Sequence, residues 1–105
     1  MINVQLYYNK NNDIYRFRVT NHGEPIVCAG VSALVITCAN FIQSQFNLDV
    51  VQKHRDSGYI DFEIGQIKKG GRNHGANMII DHMVFGLKLI EESYANQIRI
   101  YTKQE

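Results

Sequence analysis

Residues 14–46, IYRFRVTNHGEPIVCAGVSALVITCANFIQSQF, change their hydrophobic period once, and that change decides the fold. Through residue 20 the period is two: Tyr15, Phe17 and Val19 alternate with Arg16 and Arg18, as in a half-buried strand. Residues 21–25, NHGEP, break the alternation. From about Ile26 the apolar positions recur at helical spacing, with Cys28, Val31, Val35, Cys38 or Ala39, and Ile42 leading to Phe46. A helix apolar around so much of its girth is expected to be well buried.

Working outward, Ile2, Val4, Leu6 and Tyr8 alternate in the same way, and residues 9–13 (NKNND) form a turn cluster. A hairpin therefore precedes the helix. Beyond it, Leu48, Val50 and Gln52 start a third strand. A polar turn over residues 54–58 leads to YIDFEI, residues 59–64, as a fourth strand. KKGGRNHG, residues 68–75, reads as a flexible basic loop. A second amphipathic helix carries Met78, Ile79, His82, Met83, Gly86, Leu87 and Ile90. Ile98, Ile100 and Thr102 suggest a short closing strand. The order ββαββαβ predicts an α/β (α+β) fold, a two-layer sandwich with a mainly antiparallel sheet and two helices on one face. It predicts one domain over residues 1–105, with no linker or repeat.

Eleven Lys and Arg against ten Asp and Glu leave a formal charge of +1, which gives no general reason to expect nucleic acid or an anionic membrane as partner. Strand aromatics such as Tyr7, Tyr15 and Phe62 could stack on single-stranded RNA. However, the element order differs from the usual RNA-recognition arrangement. No run of apolar residues approaches the roughly 20 needed to span a bilayer, and the N-terminus lacks the regions of a signal peptide. A cytoplasmic location is expected. Cys28 and Cys38 would lie ~15 Å apart on one helix, too far to pair, and reduced thiols suit that compartment. No H-E-x-x-H and no Cys-x-x-Cys occurs, so neither a metal nor a cofactor is expected.

The segment that carries chemistry is NHGEPIVCAGVSAL, residues 21–34. Cys28 falls in the first turn of the helix, where unpaired N–H groups and the positive dipole end favour a thiolate. His22, six residues earlier at the end of a strand, can take the thiol proton or pair with the thiolate. The same N–H groups can hold the oxyanion of a tetrahedral intermediate. On these residues alone, Cys28 reads more readily as a small buried hydrophobe, the commoner fate of a cysteine beside Val, Ala and Gly.

IVCAGVSAL resembles the signature of the ribosomal-processing cysteine proteases, the Prp family. In that family a histidine-bearing, glycine-rich loop leads into D-I-V-C-A-A/G-x-S-A. The hairpin before the motif, the YIDFEI strand and the closing MIIDHMVFGLKLIEESYANQIRIY segment resemble the family layout over essentially the whole chain. The resemblance implies a bacterial cysteine endopeptidase, a homodimer, that removes the N-terminal extension of large-subunit ribosomal protein 27. Cleavage would follow an aromatic residue in an apolar peptide motif, using a cysteine–histidine pair. Cys28 matches the nucleophile and Ser32 the serine one turn later, where it can orient the site or simply fill the core.

Two departures from the pattern bear on the site. The family histidine precedes its cysteine by about a dozen residues, whereas His22 precedes Cys28 by six. Either the loop is shortened around a catalytic His22, or His22 matches a later loop histidine and the catalytic one is missing. Its position directly after the strand RFRVT favours the first. Pro25 stands where the family has an N-capping Asp, so the helix can start one residue early beside Glu24. Two alternatives follow: a non-catalytic paralogue acting as a protein-binding or regulatory module, or a protease for another protein, such as a phage structural protein. His74 and His82 are the other histidines considered as partners of Cys28, and the basic loop at Lys68, Lys69 and Arg72 is a candidate ribosome contact or substrate cover.

Overall fold

The hairpin forms from β1 (Ile2–Tyr8) and β2 (Ile14–Thr20), which pair antiparallel with Val4 opposite Val19 and Leu6 opposite Phe17. Their alternating apolar side chains meet on one face and are almost fully buried. The remaining elements are α1 (Pro25–Gln45), β3 (Val50–His54), β4 (Ile60–Ile64), α2 (Gly65–Lys68), α3 (His74–Ser93) and β5 (Ile98–Gln104). The computed structural model describes residues 1–54 and 59–104. Four residues of the expected polar turn, 55–58, lie outside the described residues.

The sheet order is β3-β4-β2-β1-β5. Every neighbouring pair is antiparallel except β1 and β5, which run parallel from Ile2 opposite Ile98. The core lies between this sheet and the helical layer. Phe17 and Phe62 stack across β2 and β4 with ring centroids 4.9 Å apart, and Val31, Val35 and Ile42 of α1 and Ile80, Met83 and Leu87 of α3 close over the sheet. The two long helices run antiparallel. Leu34 of α1 packs where Gly86 of α3 leaves room, since a Cβ there would stand 2.9 Å from Leu34 Cδ1. Near the other end of α1, the Phe46 ring lies over Gly75, at the start of α3.

The expected sandwich is thus the observed one, with several differences. The third strand, β3, runs Val50–His54, so His54 belongs to the strand and not to the turn. A third, single-turn helix, α2, follows β4; too short to show a period, it is anchored by buried Ile67. The α3 helix starts at His74, capped by Asn73, whose Oδ1 accepts the Ala76 N–H at 2.9 Å. Its buried stripe is Ala76, Ile80, Met83, Val84 and Leu87, leaving Met78 exposed. The α1 helix buries one face only, while Ile26 and Phe41 are exposed. Finally, α1 is a 21-residue helix without a charged side chain, long and apolar enough to cross a bilayer, contrary to the sequence expectation. Ser, Thr, Asn and Gln interrupt its apolar run and hide that property from a search for unbroken hydrophobicity. In this fold its buried face is part of the core.

Candidate active site

One edge of the sandwich gathers the residues that matter. The end of β2, the end of β3 and the start of β4 are level there, in the register His54–Ile60–Val19–Val4 across four strands. The 21–24 segment leaves this edge. Asn21 takes the left-handed conformation, φ 70°, which asparagine tolerates better than most residues. It turns the chain off the sheet and up to the helical layer. Glu24 is the N-cap in extended conformation and Pro25 the first helical residue, so the helix does begin before Ile26. Proline fits because a first-turn N–H has no intrahelical acceptor to lose. The Glu24 carboxylate makes no capping hydrogen bond.

Cys28 follows three residues after Pro25, half-buried, with its N–H donating to Glu24 O at 2.9 Å. Its sulfur rests against the Gly23 peptide. The Gly23 N–H donates to Sγ at 3.2 Å, and the thiol donates to Gly23 O at 3.4 Å. The sulfur is thus held against backbone through both polar atoms of Gly23. His22 is exposed, adjacent to Gly23 in the chain, and makes no hydrogen bond or ion pair among the described residues. The fold therefore places His22 and Cys28 on either side of one short loop without bonding them directly. Catalytic hydrogen bonds often tighten only with substrate present.

Ser32 lies one turn beyond Cys28, half-buried, and lines a narrow cleft with Val19, Val35, His54, Tyr59 and Ile60. The cleft is walled mainly by carbon and lies beside the helix that carries Cys28.

The other histidine candidates are too far away. His74 begins α3 beside Phe46, eighteen residues along α1 from Cys28, or ~27 Å. His82 faces Cys38 and Phe41 in the groove between the long helices, about 15 Å from Cys28, and is exposed. The basic loop sits at the far end too. Gly70 O accepts from Asn11 Nδ2 at 3.0 Å, and Arg72 pairs with Asp13 at 3.4 Å. That hairpin turn is a full strand length from Cys28, roughly 20 Å, so the loop does not cover this site. Cys38, the second thiol, is 4% exposed and its thiol is pushed up to about 12 by burial.

A family profile for cysteine protease Prp matches residues 1–99. The chain belongs to the Prp family of cysteine proteases. The ribosomal processing cysteine protease Prp of Bacillus subtilis (strain 168) is 27% identical over 109 residues, covering 97% of each chain. Among solved structures, the essential ribosomal processing protease Prp of S. aureus, crystallised with a covalently linked product peptide, superposes with TM-score 0.87. It is 27% identical, over 98% of this chain and 100% of that one. The same protease with a substrate peptide gives TM-score 0.85 at 26% identity. The family fold thus spans essentially the whole chain, the loop leading into the helix included.

Sequence reasoning missed four residues at this edge. Gly23 supplies both backbone partners of the thiol. Tyr59 and His54 complete the cleft, and only the antiparallel pairing of β3 with β4 brings His54 there. Gln97, seventy-three residues from Glu24, accepts its N–H at 2.8 Å. The glycine in NHGEP was the one local signal available.

Proposed function

We propose that this chain is a cysteine endopeptidase in which Cys28 is the nucleophile and His22 the base that takes its proton. One observation carries the reading: the Cys28 sulfur sits in the first turn of α1 and accepts the Gly23 N–H at 3.2 Å. A thiolate there gains from that bond and from the helix dipole. It attacks the peptide carbonyl; the thiol proton passes through His22 to the departing amine, and water then releases the acyl group. The Ile26 and Val27 N–H groups, which have no hydrogen-bond acceptor among the described residues, support the oxyanion. Pro25 has no N–H to contribute. Ser32 orients the thiolate from the next turn.

The substrate is an extended peptide whose apolar side chain enters the Val19–Val35–Ile60 cleft. By likeness to the ribosomal processing relatives, that peptide belongs to a ribosomal protein; the family motif points further to the N-terminal extension of large-subunit ribosomal protein 27, cleaved in the cytoplasm. The active form is a homodimer. Phe85 and Leu89, one turn apart on α3, are 66% and 52% exposed, and with Met78 they form an apolar stripe that a second copy would cover.

The test is incubation with the extended ribosomal protein and measurement of intact masses. Loss of one defined N-terminal fragment, abolished in Cys28→Ala and in His22→Ala, is the expected result. Persistence of cleavage in either variant removes the dyad. Size-exclusion with light scattering checks the assembly, which Phe85→Glu is expected to convert to monomer.

A further inference from the structure

The loop that carries His22 and Gly23 is only four residues long and lacks any side-chain cap of its own, yet it must hold its backbone against the Cys28 sulfur. The contact that fixes it comes from the other end of the chain. Gln97 Oε1 accepts the Glu24 N–H at 2.8 Å. The Gln97 backbone is itself pinned on both sides: its N–H donates to Tyr94 O at 2.8 Å, and its carbonyl accepts the Ile2 N–H at 2.8 Å. Gln97 therefore stands on the joint between the end of α3 and the β1–β5 pair, hydrogen-bonded to both.

The packing around Gly23 makes the same point independently. A Cβ at residue 23 would lie 2.9 Å from Gln97 Oε1, 3.2 Å from Gln97 O and 3.3 Å from Ile2 Cδ1. The glycine backbone is pressed onto Gln97 on one side, while on the other its N–H and carbonyl meet the sulfur at 3.2 and 3.4 Å. The path from Gln97 to the nucleophile thus crosses a single residue.

We infer that Gln97 is a positioning residue for the proteolytic dyad: by binding the Glu24 N–H it holds Gly23 against the Cys28 sulfur and fixes the place of His22 beside it. Gln97 touches neither sulfur nor substrate; it acts through the loop. The inference rests on the assignment of Cys28 as nucleophile, and its test reads the thiol separately from cleavage. Loss of the Glu24 bond frees a loop already bent through left-handed Asn21. The Gly23 N–H then leaves the sulfur for part of the time, and His22 is no longer held at one distance.

The experiment compares wild type with Gln97→Met, which keeps length and bulk but removes the acceptor, and with Gln97→Glu, which keeps an acceptor at the same reach. Iodoacetamide alkylation at neutral pH, followed by intact mass, reports Cys28; Cys38 stays unreactive because it is buried and its thiol is pushed up to about 12. Cleavage of the extended ribosomal protein gives kcat and KM. Gln97→Met is expected to slow alkylation at least threefold and to lower kcat about tenfold with KM within twofold. Gln97→Glu is expected to keep kcat within about threefold of wild type. Unchanged alkylation and kcat in Gln97→Met would overturn the inference. So would equal losses in both variants accompanied by an equal fall in melting temperature, which would mark Gln97 as a fold contact only. If no cleavage is found for wild type, the ribosomal-protein substrate is ruled out, while the alkylation arm still decides whether Gln97 controls the sulfur.

Discussion

The two cysteines of α1 share a helix, a chemistry and nearly the same neighbours in sequence, yet the fold gives them opposite roles. Cys28 lies directly after the unpaired N–H groups of Ile26 and Val27, half-buried, its sulfur against the peptide of a loop. Cys38 lies ten residues on, 4% exposed among core side chains, its nearest polar contact a 3.9 Å approach to Ile79 O. Burial without a donor penalises the Cys38 thiolate and keeps that sulfur inert. Position along the helix, rather than local composition, separates a candidate nucleophile from a packing residue.

The comparison breaks first, and most visibly, on deletion of each thiol. Cys28→Ala is expected to lower kcat at least a thousandfold, whereas Cys38→Ala keeps it within about twofold; full-progress cleavage assays on both variants decide this, and a reversed order would discard the assignment. His22→Ala comes next. Removal of a general base costs typically about 10²–10⁴-fold, read as kcat at neutral pH with circular dichroism to confirm folding.

A smaller effect sharpens the role of the loop. Gly23→Ala puts a Cβ 2.9 Å from Gln97 Oε1 and must shift the segment that holds the sulfur. A fall in kcat of about tenfold is expected, with the wild-type fold kept. On the core side, Cys38→Ser places a hydroxyl in an apolar site and should cost about 1–3 kcal/mol of unfolding free energy without altering kcat, as urea titration would measure.

The smallest effect is a pH dependence. The Cys38 thiol is raised in the folded state to about 12, above the ~8.5 of a free cysteine. Its contribution to stability is therefore complete below the unfolded value and is lost as pH rises toward the folded one. Between pH 8 and 10.5 the urea midpoint of wild type should fall relative to that of Cys38→Ala. Equal midpoints throughout would show that Cys38 is not held protonated by burial.

Much of this was legible before any coordinates. The change from period two to helical period between Val19 and Cys28 is a backbone event written directly in side-chain spacing, and both hairpin strands fall within the expected bounds. The break NHGEP announces the helix start, and so places Cys28 in its first turn. Other features had no local signature. The single-turn α2 is too short for periodicity, and its anchor, buried Asn9 donating from Nδ2 to Ile67 O at 2.7 Å, spans fifty-eight residues. The outward Met78 and inward Ile80 differ only by a rotation of the α3 stripe, which the pattern of apolar letters leaves open. The cleft beside Ser32 and the Gln97 contact depend on strand pairing, and strand order is a tertiary property.

The central claim is that catalysis passes through the Cys28 sulfur. The most direct measurement is rapid quenching of the reaction with the extended ribosomal protein, followed by mass mapping of the trapped enzyme. An acyl adduct confined to the peptide containing Cys28, appearing before product and absent in Cys28→Ala, is predicted. Product formed without any adduct there, or with equal yield from Cys28→Ala, would contradict it.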